Sequence, residues 1–393
     1  MPSNTMKDYT ESHATAVELQ RQHYPGLFML KFMLLVLFGS LLIFGFYFVT
    51  NSIGVVAGVA GALIFWGFTI ERFLDSVGYL TPLTVFFTLI TLNFAKTAYA
   101  PRGYELTAAR FPELFAQLEK LNQKHRAPRI HKVLLEHTCN AGIVHRPRLV
   151  FLGWNEHTLV LGMEMLLFMS PEQMQSVLAH EWGHLSGRNE RIHARIGLIL
   201  FYFRAAWDVV EKRFPGRWAG LLHWYLSTLT VYSIIYGRSN EFRADATAAR
   251  LVGQERAAEG LLIHTALPRL LDRYYWEPLF DLTRVLPQPV ASPYKNLQAF
   301  LRDRPFSLQE VGAEIRQELS QKTDSLDRHP CLGERLAALQ IAPDTMRYAP
   351  EKSAAEAWFG EDLDALIAEM DKTWGELYRS CWSERYREHR ASD

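Results

Sequence analysis

Two histidines four residues apart, with a glutamate next to the first, mark where this chain is equipped for chemistry. The stretch is His180-Glu181-Trp182-Gly183-His184. On a helix, such a pair shares one face, one turn apart. Both imidazoles can then grip one metal ion, and Glu181 can reach a water beside it. Two nitrogen ligands, an open position and an adjacent general base are the layout of a zinc hydrolase. So short a pattern also arises by chance on surface helices, so its surroundings must decide. Ser170-Pro171-Glu172-Gln173 reads as an N-cap, a proline at the first helical position, an acid in the first turn and a capping-box partner. Met174, Val177, Leu178 and Trp182 then recur at helical spacing, and Gly187 supplies a stop.

A catalytic zinc site takes three protein ligands plus water. The candidate third ligand is Glu241, in Asn240-Glu241-Phe242-Arg243-Ala244-Asp245. Glu241 and Asp245 again share a helix face. Glu241 completes a His-His-Glu set around one Zn²⁺ per chain. Asp245 is spaced to accept a hydrogen bond from the outer nitrogen of a ligand histidine, with His180 the candidate, which fixes the tautomer. An exposed acidic pair has the same spacing, and the upstream histidine motif favours the ligand reading.

Taken in order, these pieces resemble the HtpX and CaaX-prenyl-protease type of membrane zinc metallopeptidase, within the thermolysin-like gluzincins. The resemblance runs from about Leu106 to Leu339. It rests on Phe111-Pro112-Glu113-Leu114 before a helix, Asn140-Ala141 on a strand, Leu178 to His184, Asn240 to Asp245, and His329-Pro330 followed by Glu334-Arg335-Leu336. Trp182 departs from the pattern, where a smaller aliphatic residue or phenylalanine is common. The resemblance implies that His329 approaches the cleft and donates to the oxyanion of a tetrahedral intermediate, with Arg335 holding that segment. A histidine before proline also suits a plain turn cap. Asn140 and Ala141 become candidate substrate-binding residues at an edge strand, Asn140 to Val144, to which an extended peptide can add. An ordinary hairpin fits those residues equally well.

These residues need elements to position them. Phe111 to Lys124 reads as an amphipathic helix marked by Leu114, Leu118 and Leu121. Lys132 to Leu135, Leu149 to Leu152 and Thr158 to Leu161 read as short strands between glycine-marked turns. The expected fold is α+β: a mostly helical, zincin-like metalloprotease domain with a small sheet, preceded by a transmembrane hairpin. Leu286 to Pro293 carries three prolines and reads as a loop, with a role as a cover over the active site as one hypothesis. Leu363, Leu366, Ile367, Met370, Trp374 and Leu377 mark a C-terminal amphipathic helix packed on the core.

Leu27 to Val49 is apolar except for Lys31, and Ile53 to Ile70 has no formal charge. Each is long enough to span a bilayer, and Thr50-Asn51-Ser52 reads as the turn between them. Gly54, Gly58 and Gly61 form a small-residue stripe. Thr81 to Phe94 is a shorter third run, and Trp218 to Tyr236 a diluted one, favoured as buried or membrane-adjacent. The expected organisation is an arm at 1–26, the hairpin at 27–70, a juxtamembrane segment at 71–105, the peptidase domain at 106–345 and a helical extension at 346–393. Basic residues at both ends of the hairpin, with none in its turn, place the catalytic domain in the cytoplasm at a bacterial-type inner membrane.

Lys and Arg number 42 and Asp and Glu 42, so no basic stripe suggests a nucleic-acid partner. The 3 cysteines, Cys139, Cys331 and Cys381, lack paired spacing and argue against a disulfide framework. The expected protein is a membrane-anchored zinc endopeptidase acting on protein or peptide substrates, above all membrane proteins in quality control. Two other readings stay open. One is a catalytically silent or latent chaperone-like module stabilised by zinc; the intact Glu181 argues against it. The other is a processing protease for lipid-modified C termini, which the small number of convincing spans disfavours.

Overall fold

The computed structural model describes residues 4–66, 101–125, 127–147, 155–185, 196, 199–200, 217–304, 306–342 and 352–392. These fall into two units. One draws on residues 1–100, 145–156 and 190–237, and the other on 101–144, 157–189 and 238–393.

In the first unit, the helix Asn4–His23 is followed at Tyr24 by the helix Pro25–Trp66. Phe28 and Phe32 are buried on one face of the second helix. Phe28 stacks on Tyr232 at 5.2 Å, and Phe32 meets Tyr236 at 5.1 Å. Gly39 makes room for the Tyr225 hydroxyl, since a Cβ at Gly39 would lie 2.0 Å from that oxygen. The hydroxyl donates instead to the Leu35 carbonyl at 2.9 Å. From Tyr225 to Tyr236 the run is largely buried, with Leu229, Val231, Ile235 and Tyr236 inside, whereas Leu221 and Trp224 are exposed.

The expected hairpin is not what the structure shows. Thr50, Asn51 and Ser52 continue the helix Pro25–Trp66. None of the three is glycine or proline, and each costs a helix at most about 0.7 kcal/mol relative to alanine. Long apolar runs on both sides supply no break either. Among the described residues one stretch, Pro25–Leu42, is long and apolar enough to cross a membrane. The runs at 81–94 and beyond residue 66 lie outside the described residues, as does the expected strand at 149–152.

The second unit holds a four-stranded sheet in the order β1-β2-β4-β3, with β1 Tyr104–Leu106, β2 Lys132–Glu136, β3 Ala141–Pro147 and β4 Asn155–Gly162. β1 runs antiparallel to β2, with Leu106 opposite Val133. β2 runs parallel to β4, with Val133 opposite Leu159. Val133, Leu134 and Leu135 are all buried, so β2 is covered on both faces, which explains its unbroken apolar run. β3 lies at the edge, the position expected for Asn140 to Val144. The helix Pro112–His125 buries Leu114, Leu118 and Leu121, the three residues that marked its face.

Helices make up the rest of this unit. Pro171–His184 begins with the expected capping box, in which Ser170 and Gln173 satisfy each other's backbone N–H groups. The part of the helix Arg217–Val252 from Arg238 on and the helix Gln254–Leu271 follow, separated by Gly253 at φ 97°, a left-handed conformation that favours glycine. Gly260 lets Gln254–Leu271 approach the metal-motif helix, since a Cβ there would fall 1.6 Å from Ser176 Oγ. The C-terminal helix Leu363–Ser392 buries Leu363, Leu366, Ile367, Met370 and Trp374 as expected, whereas Leu377 is exposed. Trp374 stacks on Trp276 at 6.0 Å and 17°. The proline-rich loop after Leu286 is tied to this helix by Trp382 Nε1, which donates to the Leu286 carbonyl at 2.9 Å. Its residues are not among those that line the histidine cleft.

Trp374 fills much of this junction. Trp374→Ala is expected to cost about 3–5 kcal/mol, the range for emptying an aromatic core position. Thermal melting of the detergent-purified protein would show it as a clearly lowered Tm.

Candidate metal centre

The metal-motif helix and the helix Arg217–Val252 approach closely where Gly183 faces Ala244. A Cβ at Gly183 would lie 2.6 Å from Ala244 Cα, so only glycine permits this distance. The approach brings His180, His184 and Glu241 together. The two Nε2 atoms are 3.1 Å apart. Glu241 Oε2 lies 3.5 Å from His180 Nε2, and Glu241 Oε1 lies 3.4 Å from His184 Nε2. A tetrahedral ion with bonds of about 2.0–2.1 Å holds its ligands about 3.3–3.4 Å apart, so these edges fit one. Glu181 also belongs to the cluster: His180, Glu181 and His184 offer donor atoms within 4.8 Å of one another. Glu241 is placed to supply a third ligand, because its two oxygens bracket both histidine nitrogens.

Hydrogen bonds orient the set. Asp245 Oδ1 accepts from His180 Nδ1 at 2.9 Å, which leaves the His180 Nε2 lone pair for the cleft. Arg335 donates to the same carboxylate through both Nε, at 2.8 Å, and Nη2, at 2.7 Å. Asp245 and Arg335 are both buried. Glu241 Oε2 lies 3.2 Å from His329 Nδ1 and 3.5 Å from Arg335 Nη2, yet it is buried with no aligned hydrogen-bond donor. A buried, unsatisfied carboxylate oxygen beside two facing imidazole nitrogens is a donor set suited to a cation.

The ionisation states follow from burial and neighbours. Burial opposes the charge on His180, but Asp245 and Glu241 outweigh it and hold its pKa at about 9. To hold a metal ion, His180 would give up the proton at Nε2, because only the neutral ring offers a lone pair there. Burial likewise raises the Glu241 carboxyl, but His180, His329 and Arg335 reverse that and keep it below the ordinary range. Burial pushes Glu181 up to about 7, against the pull of His180 and a hydrogen bond from the Ile143 main chain.

The cleft has a volume of about 270 Å³. Besides the metal-binding set it is lined by Asn140, Ala141, Gly142 and Ile143 of the sheet edge, and by His264, His329 and Arg335. All nine residues singled out in the sequence therefore meet at one place. Gly162 secures Asn140, donating its N–H to the Asn140 carbonyl at 2.8 Å where a Cβ would meet the Thr138 carbonyl at 2.0 Å. His264 is the residue that spacing did not single out. It sits alone in the leucine-rich helix Gln254–Leu271, 124 residues from the Asn140 it touches, and no local pattern marks it. His137 is a packed side chain away from the cleft lining: its two nitrogens meet the Tyr294 and Thr373 hydroxyls. The cysteines are free, as expected.

The description of peptidase family M48 matches residues 124–342, more than half of the chain. Curated relatives called Protease HtpX are similar over shorter stretches. That of Acinetobacter baylyi is 27% identical over 130 residues, covering 28% of this chain and 43% of the relative. That of Chromohalobacter salexigens is 29% identical over 122 residues, covering 26% and 41%. That of Pseudomonas fluorescens is 25% identical over 139 residues, covering 28% and 47%. The chain spans less than half the length of these relatives. No solved structure gives a significant match.

If Asp245 orients His180, Asp245→Asn should weaken zinc binding about 10–100-fold, the usual effect of losing such a partner. The replacement amide also turns a donor toward Arg335. Competition against a chromophoric chelator reads the affinity directly.

Proposed function

Because the chain belongs to peptidase family M48, we propose that its cleft is the active site of a zinc-dependent endopeptidase with a zincin-like fold. The observation that carries this reading is the convergence of His180, His184 and Glu241 with Glu181 beside them and Asp245 behind them. His180, His184 and Glu241 hold the zinc. When bound, zinc supplies Lewis acidity, which acidifies water and polarises a carbonyl. Glu181 takes the proton of the attacking water on its carboxylate and delivers it to the leaving nitrogen. Its elevated pKa suits a group that must both accept and return a proton near neutrality. Asp245 and Arg335 hold His180 in one tautomer. His329, whose side chain is 72% exposed at the cleft, stabilises the developing oxyanion. Asn140 and Ala141 align the substrate along the β3 edge by main-chain hydrogen bonds.

We place the protein in a membrane, anchored by the helix Pro25–Trp66. Its span Pro25–Leu42 has a mean hydropathy of 2.0 and is only 22% buried. Leu30, Leu34, Leu37 and Leu41 are each more than half exposed along one stripe, a surface suited to lipid. The catalytic unit belongs on the cytoplasmic side of a bacterial-type inner membrane. With one continuous helix the two flanks lie on opposite sides; Lys7 and Arg21 precede it, and Arg72, Lys96, Arg102 and Arg110 follow it, so the more basic flank, on the catalytic side, suits the cytoplasm. The substrates are then proteins at the membrane, in quality control.

Glu181→Gln tests the chemistry. The variant should keep its zinc and lose about 10²–10⁴-fold in cleavage of an unfolded membrane protein, the contribution of a general base. Removing zinc with a chelator should abolish wild-type cleavage, and adding zinc back should restore it. Equal cleavage by both proteins at equal zinc content would overturn the assignment of Glu181. Zinc binding without cleavage by either would favour the chaperone-like module.

A further inference from the structure

Beyond the metal-binding set, the cleft carries one histidine with a defined tautomer and no assigned task. His264 lines both the metal cleft and an adjoining cavity of about 400 Å³. Its Nε2 lies 3.2 Å from Asn140 Oδ1. That amide atom must be the oxygen, because it also meets the Ala141 main-chain N–H at 2.9 Å, which can only donate. Nε2 of His264 is therefore the protonated nitrogen. The remaining nitrogen, Nδ1, has no hydrogen-bond partner among the described residues. Burial, and then the nearby Arg335 charge, lower the pKa to about 4, so the ring is neutral and Nδ1 carries a lone pair.

We propose that His264 is a substrate-binding residue that accepts a hydrogen bond from a main-chain N–H of the polypeptide substrate. The inference rests on the peptidase reading above. Of the residues that line both cavities with it, Arg335 is held by Asp245, Asn140 accepts from Ala141 and His264, and His329 faces Glu241. The Asn140–His264 pair lines both cavities, so an extended chain that leaves the β3 edge for the second cavity runs beside it. A main-chain N–H is the donor that every such chain carries. Because the pair stands where the two cavities meet, the contact fixes the register in which a substrate crosses the metal. A lost contact there misplaces substrate without touching zinc or the general base.

The test uses the zinc-loaded, detergent-purified full chain and one peptide that the wild type cleaves. A matching series replaces each main-chain N–H except the scissile one, in turn, by an ester oxygen. In the wild type, one ester should lower kcat/KM about tenfold, as expected for one hydrogen bond. His264→Phe should lose about tenfold on the parent peptide, through KM with kcat nearly unchanged, and should ignore that one ester. His264→Gln can both donate and accept, and should recover most of the loss. His264→Lys donates but does not accept, and should behave as His264→Phe. Zinc content and Tm should stay at wild-type values throughout. Parent kinetics unchanged in His264→Phe, wild-type kinetics in His264→Lys, or a wild-type ester pattern in either variant would overturn the inference alone. A zinc-loaded wild type that cleaves no peptide would overturn the peptidase reading, and this inference with it.

Discussion

The Asp245 carboxylate is the contact on which the rest of the site depends. It is buried, and a buried charge persists only when it is paired and hydrogen-bonded. Arg335 supplies the countercharge through two parallel N–H donors, and His180 supplies a third donor to the same group. Three chain segments far apart in sequence meet on it: the metal-motif helix, the third-ligand helix and the short helix Leu332–Leu339. Fork geometry matters here. A lysine at 335 offers a point charge without the two parallel bonds, and leaves one carboxylate oxygen to His180 alone. The ion pair contributes little net stability by itself, but breaking it strands a charge in the interior. Its value is orientation, because it sets which nitrogen of His180 faces the cleft.

Close backbone approach is the second requirement. Gly183 against Ala244 sets the distance between the two ligand-bearing helices. Gly260 against Ser176 does the same behind the metal-motif helix, and Gly162 seats the Asn140 loop on the end of β4. Each glycine stands where a Cβ would strike backbone or a short side chain, which cannot move aside cheaply. Metal-binding geometry fails with errors of a few tenths of an ångström, so these three positions act on the site without touching the metal.

In the first unit, the helix Pro25–Trp66 has two faces. Phe28 and Phe32 are buried against Tyr232 and Tyr236, while the leucines at 30, 34, 37 and 41 point outward. An aqueous surface penalises such a stripe and a lipid surface does not. At about 1.5 Å per residue, a helix of 42 residues is about twice as long as a hydrocarbon core is thick. Length alone therefore does not set the position of a membrane along it.

Sequence by itself determined the features that depend on local spacing. The i,i+4 pairs His180 and His184, and Glu241 and Asp245, had to fall on single helix faces. The capping box at Ser170 and the buried stripe Leu114, Leu118 and Leu121 were legible for the same reason: helix geometry repeats every few residues. Asn140, His329 and Arg335 were named only because an ordered set of motifs resembled a known family; nothing in their own spacing assigns them. Tertiary structure decided what depends on separation in the chain. His264 meets Asn140 across 124 residues. Glu241 came within 3.4 and 3.5 Å of the two histidine nitrogens because Gly183 lets two helices touch. Thr50-Asn51-Ser52 continued a helix because a weak local preference gave way to the long apolar runs on either side. Local spacing says which residues can share a face; packing alone says which faces meet.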